Sequence, residues 1–186
     1  FHYDVAIVGA GPVGGYLAWK LTEEGQTVLL IEEHDEIGRP FQCAGLVNPD
    51  AMSKVSLEGT ALSEIWGARI HGPSGEPVEI GNPNRIRTWS VCRKKFDESV
   101  VMRAIGSGAD IWLSSTPTDA EIFDDHAQIW VDRCGSQAIV KCQMICGCDG
   151  AHSWVRRKFK FGRPKEMMVG FQVEVTGYPG VDGVLD

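Results

Sequence analysis

The sequence predicts an α/β fold in which a parallel sheet is joined to an antiparallel β-meander. Three observations carry that prediction. Val5-Ala6-Ile7-Val8 is an apolar run that stops at Gly9, and a helical pattern then leads to a second apolar run, Thr27–Ile31. Strand, helix and strand in so short a space make the two strands parallel neighbours. From Thr118 to Ile145 the pattern changes to short alternating stretches punctuated by Asp124-Asp125 and Gly135-Ser136, as a meander requires. Glycine makes up 22 of 186 residues, against an average near 7%, which points to tight turns and close backbone approaches.

Each element has its own justification. The first strand is short, apolar throughout and closed by glycine, the pattern of a strand buried on both faces. The helix runs from Pro12 to Glu24, with Gly14, Leu17, Ala18 and Leu21 on one face, and Gly25 ends it as a C-terminal cap. Residues 34–64 are polar and irregular, with Pro40 and Pro49, and one short helix is expected after Asn48. Ala68–His71 and Pro77–Ile80 flank a Gly-Pro-Ser-Gly turn at 72–75, which predicts a hairpin. Ile86–Val91 is a strand. Arg93–Ser107 is a helix, with Phe96, Val100 and Ala104 aligned, and Ala109–Leu113 returns as a strand. The meander is expected as Ala120–Phe123, Gln128–Val131, Ala138–Val140 and Gln143–Ile145.

Composition narrows the function. The formal net charge of −7 disfavours nucleic acid as a partner, because phosphate attraction dominates that affinity. Apolar runs are too short to span a membrane as helices, and with no basic segment before the first of them no signal peptide is expected. The six cysteines, at 43, 92, 134, 142, 146 and 148, are scattered. Cys142, Cys146 and Cys148 do not have the paired spacing of structural zinc and read as small apolar residues of a strand, so no metal is expected.

Three motifs carry chemistry. Gly9-Ala10-Gly11-Pro12-Val13-Gly14 follows a strand, opens a helix, and is followed 18 residues after Gly14 by Glu32, at the end of the next strand. That is the context of a Rossmann-like dinucleotide site. Gly9 permits the turn, Gly11 admits a pyrophosphate to the backbone, and Gly14 lets the helix pack closely. The helix N-terminus attracts phosphate charge. Glu32 would accept from a ribose hydroxyl, which argues for FAD or NAD over a 2′-phosphorylated cofactor. Arg93 stands at a helix start, where the dipole opposes a cation unless an anion lies near; a solvated arginine among Arg93-Lys94-Lys95 is the other reading. Third, Cys148-Asp149-Gly150 leads out of an apolar stretch, and Ser153 is placed to cap a short helix before Arg156.

Together the glycine motif with Glu32, the Arg93-x-x-Phe96-Asp97 helix start and the Cys148-Asp149-Gly150-x-x-Ser153-x-Val155-Arg156 stretch resemble the FAD-dependent hydroxylase-like superfamily. Within it, Gly38-Arg39-Pro40-Phe41-Gln42-Cys43-Ala44-Gly45-Leu46 is similar to the geranylgeranyl reductase family, which includes archaeal enzymes acting on ether lipids. The resemblance runs from Asp4 to about Val175.

The resemblance implies FAD extended along Gly9, Gly11 and Gly14, with its ribose on Glu32. It implies Arg93 at the phosphates, Thr118 by the adenine, Asp149 behind the pyrophosphate, and Cys43, Ala44 and Gly45 beside the isoalloxazine. Cys43 is either a thiol that donates a proton or shields the flavin, or a small residue chosen for fit. The implied activity is reduction of C=C bonds in isoprenoid chains of membrane ether lipids, with NAD(P)H or a ferredoxin as electron donor. An aromatic hydroxylase and a non-catalytic FAD-binding module are the alternatives. The expected organisation is an FAD-binding domain at 1–165 and the beginning of a substrate-binding β-sheet domain at 166–186, its first strand at Val169–Val175, within a longer enzyme. The expected location is cytoplasmic. Arg156, Arg157, Lys158 and Lys160 form either a solvated face or a peripheral contact with a membrane surface.

Overall fold

The computed structural model describes residues 1–186 except Gln42, Ser74, Gln172, Glu174, Val175 and Tyr178. The described residues divide into two compact units, Phe1–Pro40 with Asp97–Lys165, and Phe41–Phe96 with Glu166–Asp186.

The first unit is built on one six-stranded sheet. In chain order its strands are β1 (His2–Val8), β2 (Val28–Ile31), β8 (Asp110–Trp112), β9 (Ser115–Ile122), β10 (Ala127–Arg133) and β11 (Ser136–Gly147), and across the sheet they run β8-β2-β1-β11-β10-β9. The expected parallel layer and the expected meander are therefore one sheet, and β11 is the hinge between them. It pairs antiparallel with β10 through Ala127↔Cys142 to Arg133↔Ser136, and parallel with β1 through His2↔Lys141 to Val8↔Gly147. This corrects the expectation of two short strands at 138–140 and 143–145. A single strand of 12 residues is needed to serve two neighbours of opposite direction.

Helix α1 (Pro12–Glu23) crosses from β1 to β2, and α3 (Arg93–Gly106) leads into β8. The four residues of β2 are all buried, because the sheet is covered on both faces. Val28 and Leu30 join Val5, Ile7, Ala18, Val101 and Ala104 on one side, while Leu29 and Ile31 join Ala6, Trp112, Ile129 and Val140 on the other. Each buried Val, Leu or Ile among them contributes roughly 1.5–3 kcal/mol on burial. Gly15 sets the spacing of the two helices: a Cβ there would lie 2.9 Å from Val101 Cγ2. Gly25, at φ +84°, ends α1 as expected. The short α4 (Trp154–Lys158) follows β11, with Ser153 Oγ accepting from the Arg156 N–H at 2.9 Å.

The second unit holds two three-stranded sheets. One has the order β3 (Leu46–Val47), β7 (Thr88–Val91), β4 (Ala61–Ile65); the other has β12 (Val184–Leu185), β5 (Gly67–His71), β6 (Pro77–Gly81). The hairpin β5–β6 is paired as expected from His71↔Pro77 outward; Ser74 of its turn lies outside the described residues. Helix α2 (Pro49–Val55) follows Asn48, whose Oδ1 accepts from the Ala51 N–H at 2.7 Å. The stretch read as irregular also contains β3 and β4. Strand β4 alternates half-buried and exposed residues over only five positions, too short a signal to stand out from its polar surroundings. The strand expected at Val169–Val175 falls partly outside the described residues. Near the end of the chain, β12 runs parallel to β5, with Val184↔Gly67. Among the described residues no helix is long and apolar enough to cross a membrane.

Candidate cofactor site

The site is built where β1 ends. Gly9 takes φ +97°, closed to most side chains, and its N–H donates to Ile31 O at 2.8 Å. A Cβ on Gly9 would lie 2.4 Å from Cys148 O, and one on Gly14 would lie 2.0 Å from Gly9 O and 3.3 Å from Cys148 Cβ. The protein's own backbone therefore requires both glycines. Gly11 differs: its φ of −71° is open to any residue, and a Cβ there would meet nothing within 4 Å. The packing of the described residues therefore does not require glycine there.

Gly11 is the N-cap of α1 and lacks a side-chain cap, Pro12 is the first helical residue, and the first turn carries no acid. The N–H groups of a helix's first turn have no intrahelical partner, and here no acid within that turn faces the positive end of the helix dipole. Behind the turn, the Cys148 N–H donates to Val8 O at 2.8 Å. The next residue, Asp149, accepts the Val155 N–H on Oδ2 at 3.0 Å, while its Oδ1 is buried without a hydrogen-bond partner. A buried acceptor left unpaired is costly. The open face at Gly11 and this orphaned oxygen fit a polar ligand bearing phosphate and hydroxyl groups.

Glu32 follows β2. Its Oε2 accepts the Ala10 N–H at 2.8 Å, which ties the acid to the glycine turn; its Oε1 accepts the His34 N–H at 3.1 Å and lies 2.7 Å from His34 Nδ1. The glycine turn, Glu32 and Asp149 are thus brought together within the first unit. Thr118 lies at the register shift of β9 against β10, where its Oγ1 donates to Trp130 O at 3.2 Å.

The other expected residues belong to the second unit. Arg93 is half-buried at the first residue of α3 and engaged with neighbours. Cys43 and Ala44 are exposed, and Gly45 is buried at φ +77°, where a Cβ would lie 2.3 Å from Val91 O. Gln42, beside them, lies outside the described residues. Sequence reasoning missed His34, because a histidine two residues beyond an acid gives no spacing signal in a loop. It also credited Gly14 with helix packing that Gly15 shares.

The thiols on β11 and just after it are not poised for chemistry. Burial pushes Cys142 up to about 11 and raises Cys146. Cys148 is raised by burial first and then by the charges of Cys146 and Asp149. A thiol held protonated at neutral pH is a poor nucleophile. Of the basic residues after the site, Lys158 pairs with Asp119 of β9, and Arg157 donates to His152 O.

Comparison with known proteins agrees with the fold. Residues 7–48 match a family described as NAD(P)-binding Rossmann-like domain, and residues 108–178 match an FAD binding domain. The chain is 32% identical over 160 residues to a digeranylgeranylglycerophospholipid reductase of Methanosarcina acetivorans, which covers 83% of the chain and 39% of that protein. It is 32% identical over 183 residues to digeranylgeranylglycerophospholipid reductase 2 of Methanothermobacter thermautotrophicus, covering 94% and 47%. Among solved structures it resembles a geranylgeranyl bacteriochlorophyll reductase-like protein of Thermoplasma acidophilum, at TM-score 0.73 and 26% identity, covering 81% of the chain and 40% of that protein. It also resembles the anhydrotetracycline hydroxylase OxyS of Streptomyces rimosus, at TM-score 0.71 and 25% identity, covering 86% and 34%. The chain spans less than half the length of the curated relatives it matches. The resemblance read from the motifs is borne out, and so are the α/β fold and FAD as the cofactor of this fold.

Proposed function

We propose that this chain is the FAD-holding part of a reductase that saturates C=C bonds in the geranylgeranyl chains of membrane ether lipids. The observation that carries the reading is Gly11, the one glycine of the motif that the protein's own packing does not explain. Kinship at about 30% identity with reductases named for such a lipid supports the substrate class.

When bound, FAD supplies two-electron chemistry that no side chain offers. The chain's own residues hold and shield it. The backbone at Gly9, Gly11 and Gly14 and the start of α1 receive the pyrophosphate, Glu32 accepts from the ribose, and Asp149 closes the turn from behind. Arg93 serves the phosphates and Thr118 the adenine end. Cys43, Ala44 and Gly45 serve the ring, with Cys43 as candidate donor of the proton that completes saturation. The electron donor is NAD(P)H or a ferredoxin. Residues 1–165 act as the cofactor domain, and residues 166–186 open the substrate-binding part. Arg156 and Lys160, with the exposed Arg157 and Lys158 already engaged by His152 O and Asp119, are the candidates for contact with an anionic membrane surface, where each charge contributes about 1 kcal/mol.

The likeness to OxyS supports a second reading, an FAD-dependent aromatic hydroxylase. One experiment separates them. The protein carrying this chain is loaded with FAD, reduced chemically without oxygen, and mixed with vesicles of digeranylgeranylglycerophospholipid. Product masses higher by two hydrogens per saturated bond support the reductase. No saturation, together with oxygen-dependent hydroxylation of an aromatic compound, establishes the rival.

A further inference from the structure

We propose that His34 is a specificity-determining positioning residue whose ring acts as a proton-operated clamp on Glu32, setting how many acceptor sites the carboxylate offers to a ribose. The proposal rests on the reading that Glu32 faces the ribose. An ionised carboxylate has about four lone-pair positions. On Glu32 the Ala10 N–H takes one on Oε2, and the His34 N–H and His34 Nδ1 take two on Oε1. A ribose brings two hydroxyls to what remains. Both can bond Glu32 only if one of the three occupants leaves.

The two backbone donors are fixed. Ala10 belongs to the glycine turn. The segment Glu32–His34 is pinned by the Ser115 N–H on Glu32 O at 2.8 Å and the Ser114 N–H on His34 O at 2.9 Å. The movable occupant is the ring, whose side chain is 37% exposed while that of Glu32 is 13% exposed. How firmly it holds depends on its proton count. A neutral imidazole donating from Nδ1 makes an ordinary bond to a carboxylate, whereas an imidazolium makes a stronger bond between opposite charges. Imidazoles change charge between about pH 5 and 8. Among the described residues the ring meets the carboxylates of Glu32 and of Glu33, whose Oε1 lies 4.0 Å from Nε2, and the same loop continues with Asp35, Glu36 and Arg39, the last two paired with each other. The neighbouring turn carries Cys134, whose N–H donates to Ser114 O, and Arg133, whose guanidinium lies over the Trp112 ring. At acid pH the clamp is closed and Glu32 serves one hydroxyl; as the ring loses its proton, the second hydroxyl displaces it.

The test compares ADP with 2′-deoxy-ADP and 3′-deoxy-ADP, which carry the same charge, so that phosphate electrostatics cancel in the affinity ratios. Binding is measured by calorimetry at about pH 5.5 and pH 8, either side of the imidazole range. At the upper pH both deoxy analogues bind about tenfold more weakly than ADP, one hydrogen bond to a charged group being lost in each case. At the lower pH one of the two ratios falls toward one. In His34→Gln, which keeps a donor that cannot change charge, the ratios do not move with pH. A ring titration followed by NMR needs no variant: ADP lowers the midpoint of His34 further than the deoxy analogue does, as reciprocity requires. Ratios that are flat with pH in the unaltered protein, or equal midpoints with the two nucleotides, overturn the clamp. If Glu32→Gln still weakens ADP binding, the ribose reading survives that result; if Glu32→Gln leaves ADP binding unchanged, both fall.

Discussion

The turn after β1 and the loop before β3 each carry glycine in a demanding place, yet they differ in what the protein itself explains. In the turn, a Cβ on Gly9 or Gly14 would run into backbone at 2.4 or 2.0 Å, while one on Gly11 would meet nothing within 4 Å. In the loop, Gly45 is required by Val91 O at 2.3 Å, whereas Cys43 and Ala44 are exposed. The turn therefore separates residues that the fold requires from a residue that it leaves open. The loop's exposed residues draw their meaning from resemblance alone. A glycine motif is evidence of binding only to the extent that its glycines are not already used up by packing.

The largest expected effect breaks the turn. Gly14→Ala sets a methyl group against Gly9 O, a backbone atom that cannot swing away. Overpacking against a flexible neighbour costs about 1–3 kcal/mol, and here the cost should reach or exceed the top of that range. The denaturant midpoint should collapse, and an unchanged midpoint would mean that the turn is looser than its contacts imply. Gly45→Ala comes next. It pairs a 2.3 Å contact with φ +77°, and the left-handed conformation alone costs roughly 1–2 kcal/mol for a residue with a Cβ. The loss should show first as faster amide exchange in β7, where the Val91 N–H donates to Gly45 O at 2.8 Å.

Thiols sharpen the same contrast. Cys142 is buried on β11, opposite Tyr3 of β1. Burial pushes Cys142 up to about 11, and burial together with the hydrogen bond to Asp110 pushes Tyr3 up to about 12. A pKa raised by folding means that the folded state holds its proton longer than the unfolded chain. The stabilisation is therefore complete below the unfolded thiol value of 9.0 and is lost as pH rises toward 11. Cys142→Val should reduce the loss of stability between those limits by about 2 kcal/mol. In the unaltered protein a thiol reagent at neutral pH should label exposed Cys43 well before Cys142. An alkaline loss of equal size in both proteins would place its origin elsewhere, Tyr3 first.

How much of this was legible depended on range. The strand–helix–strand start, the capping of α1 by Gly25 and the pairing of Glu32 with the glycine motif follow from contacts within about thirty residues, and the sequence pattern carries them. The double role of β11 does not, because its parallel partner is β1, over 130 residues away in the chain. A break in alternation between Val140 and Gln143 looks like a strand end until both neighbours are known. The site was legible as residue types in motifs, but the acceptor count on Glu32 was not, since His34 enters through a loop turn that no periodicity marks. Gly15 was passed over because its partner, Val101, lies on another helix.

The smallest expected effect on stability is the most informative about the site. Gly11 sits at φ −71° and ψ −175°, extended backbone suited to a residue that precedes proline. A Cβ there strains nothing and meets nothing within 4 Å. Its cost to the fold is the poorer N-cap that an apolar residue makes in place of glycine, at most about 1 kcal/mol. Gly11→Val should therefore melt close to the unaltered protein. Its two γ-methyls, however, would fill space beside the backbone of the turn that the proposed pyrophosphate needs, so flavin retention, read from absorbance after gel filtration, should be lost. Gly14→Ala loses the fold and the flavin together, and a dual loss cannot say which came first. A Gly11→Val protein that unfolds early would move this glycine into the same class as Gly9 and Gly14. One that keeps both its fold and its flavin would show that the cofactor's phosphates do not lie at this turn.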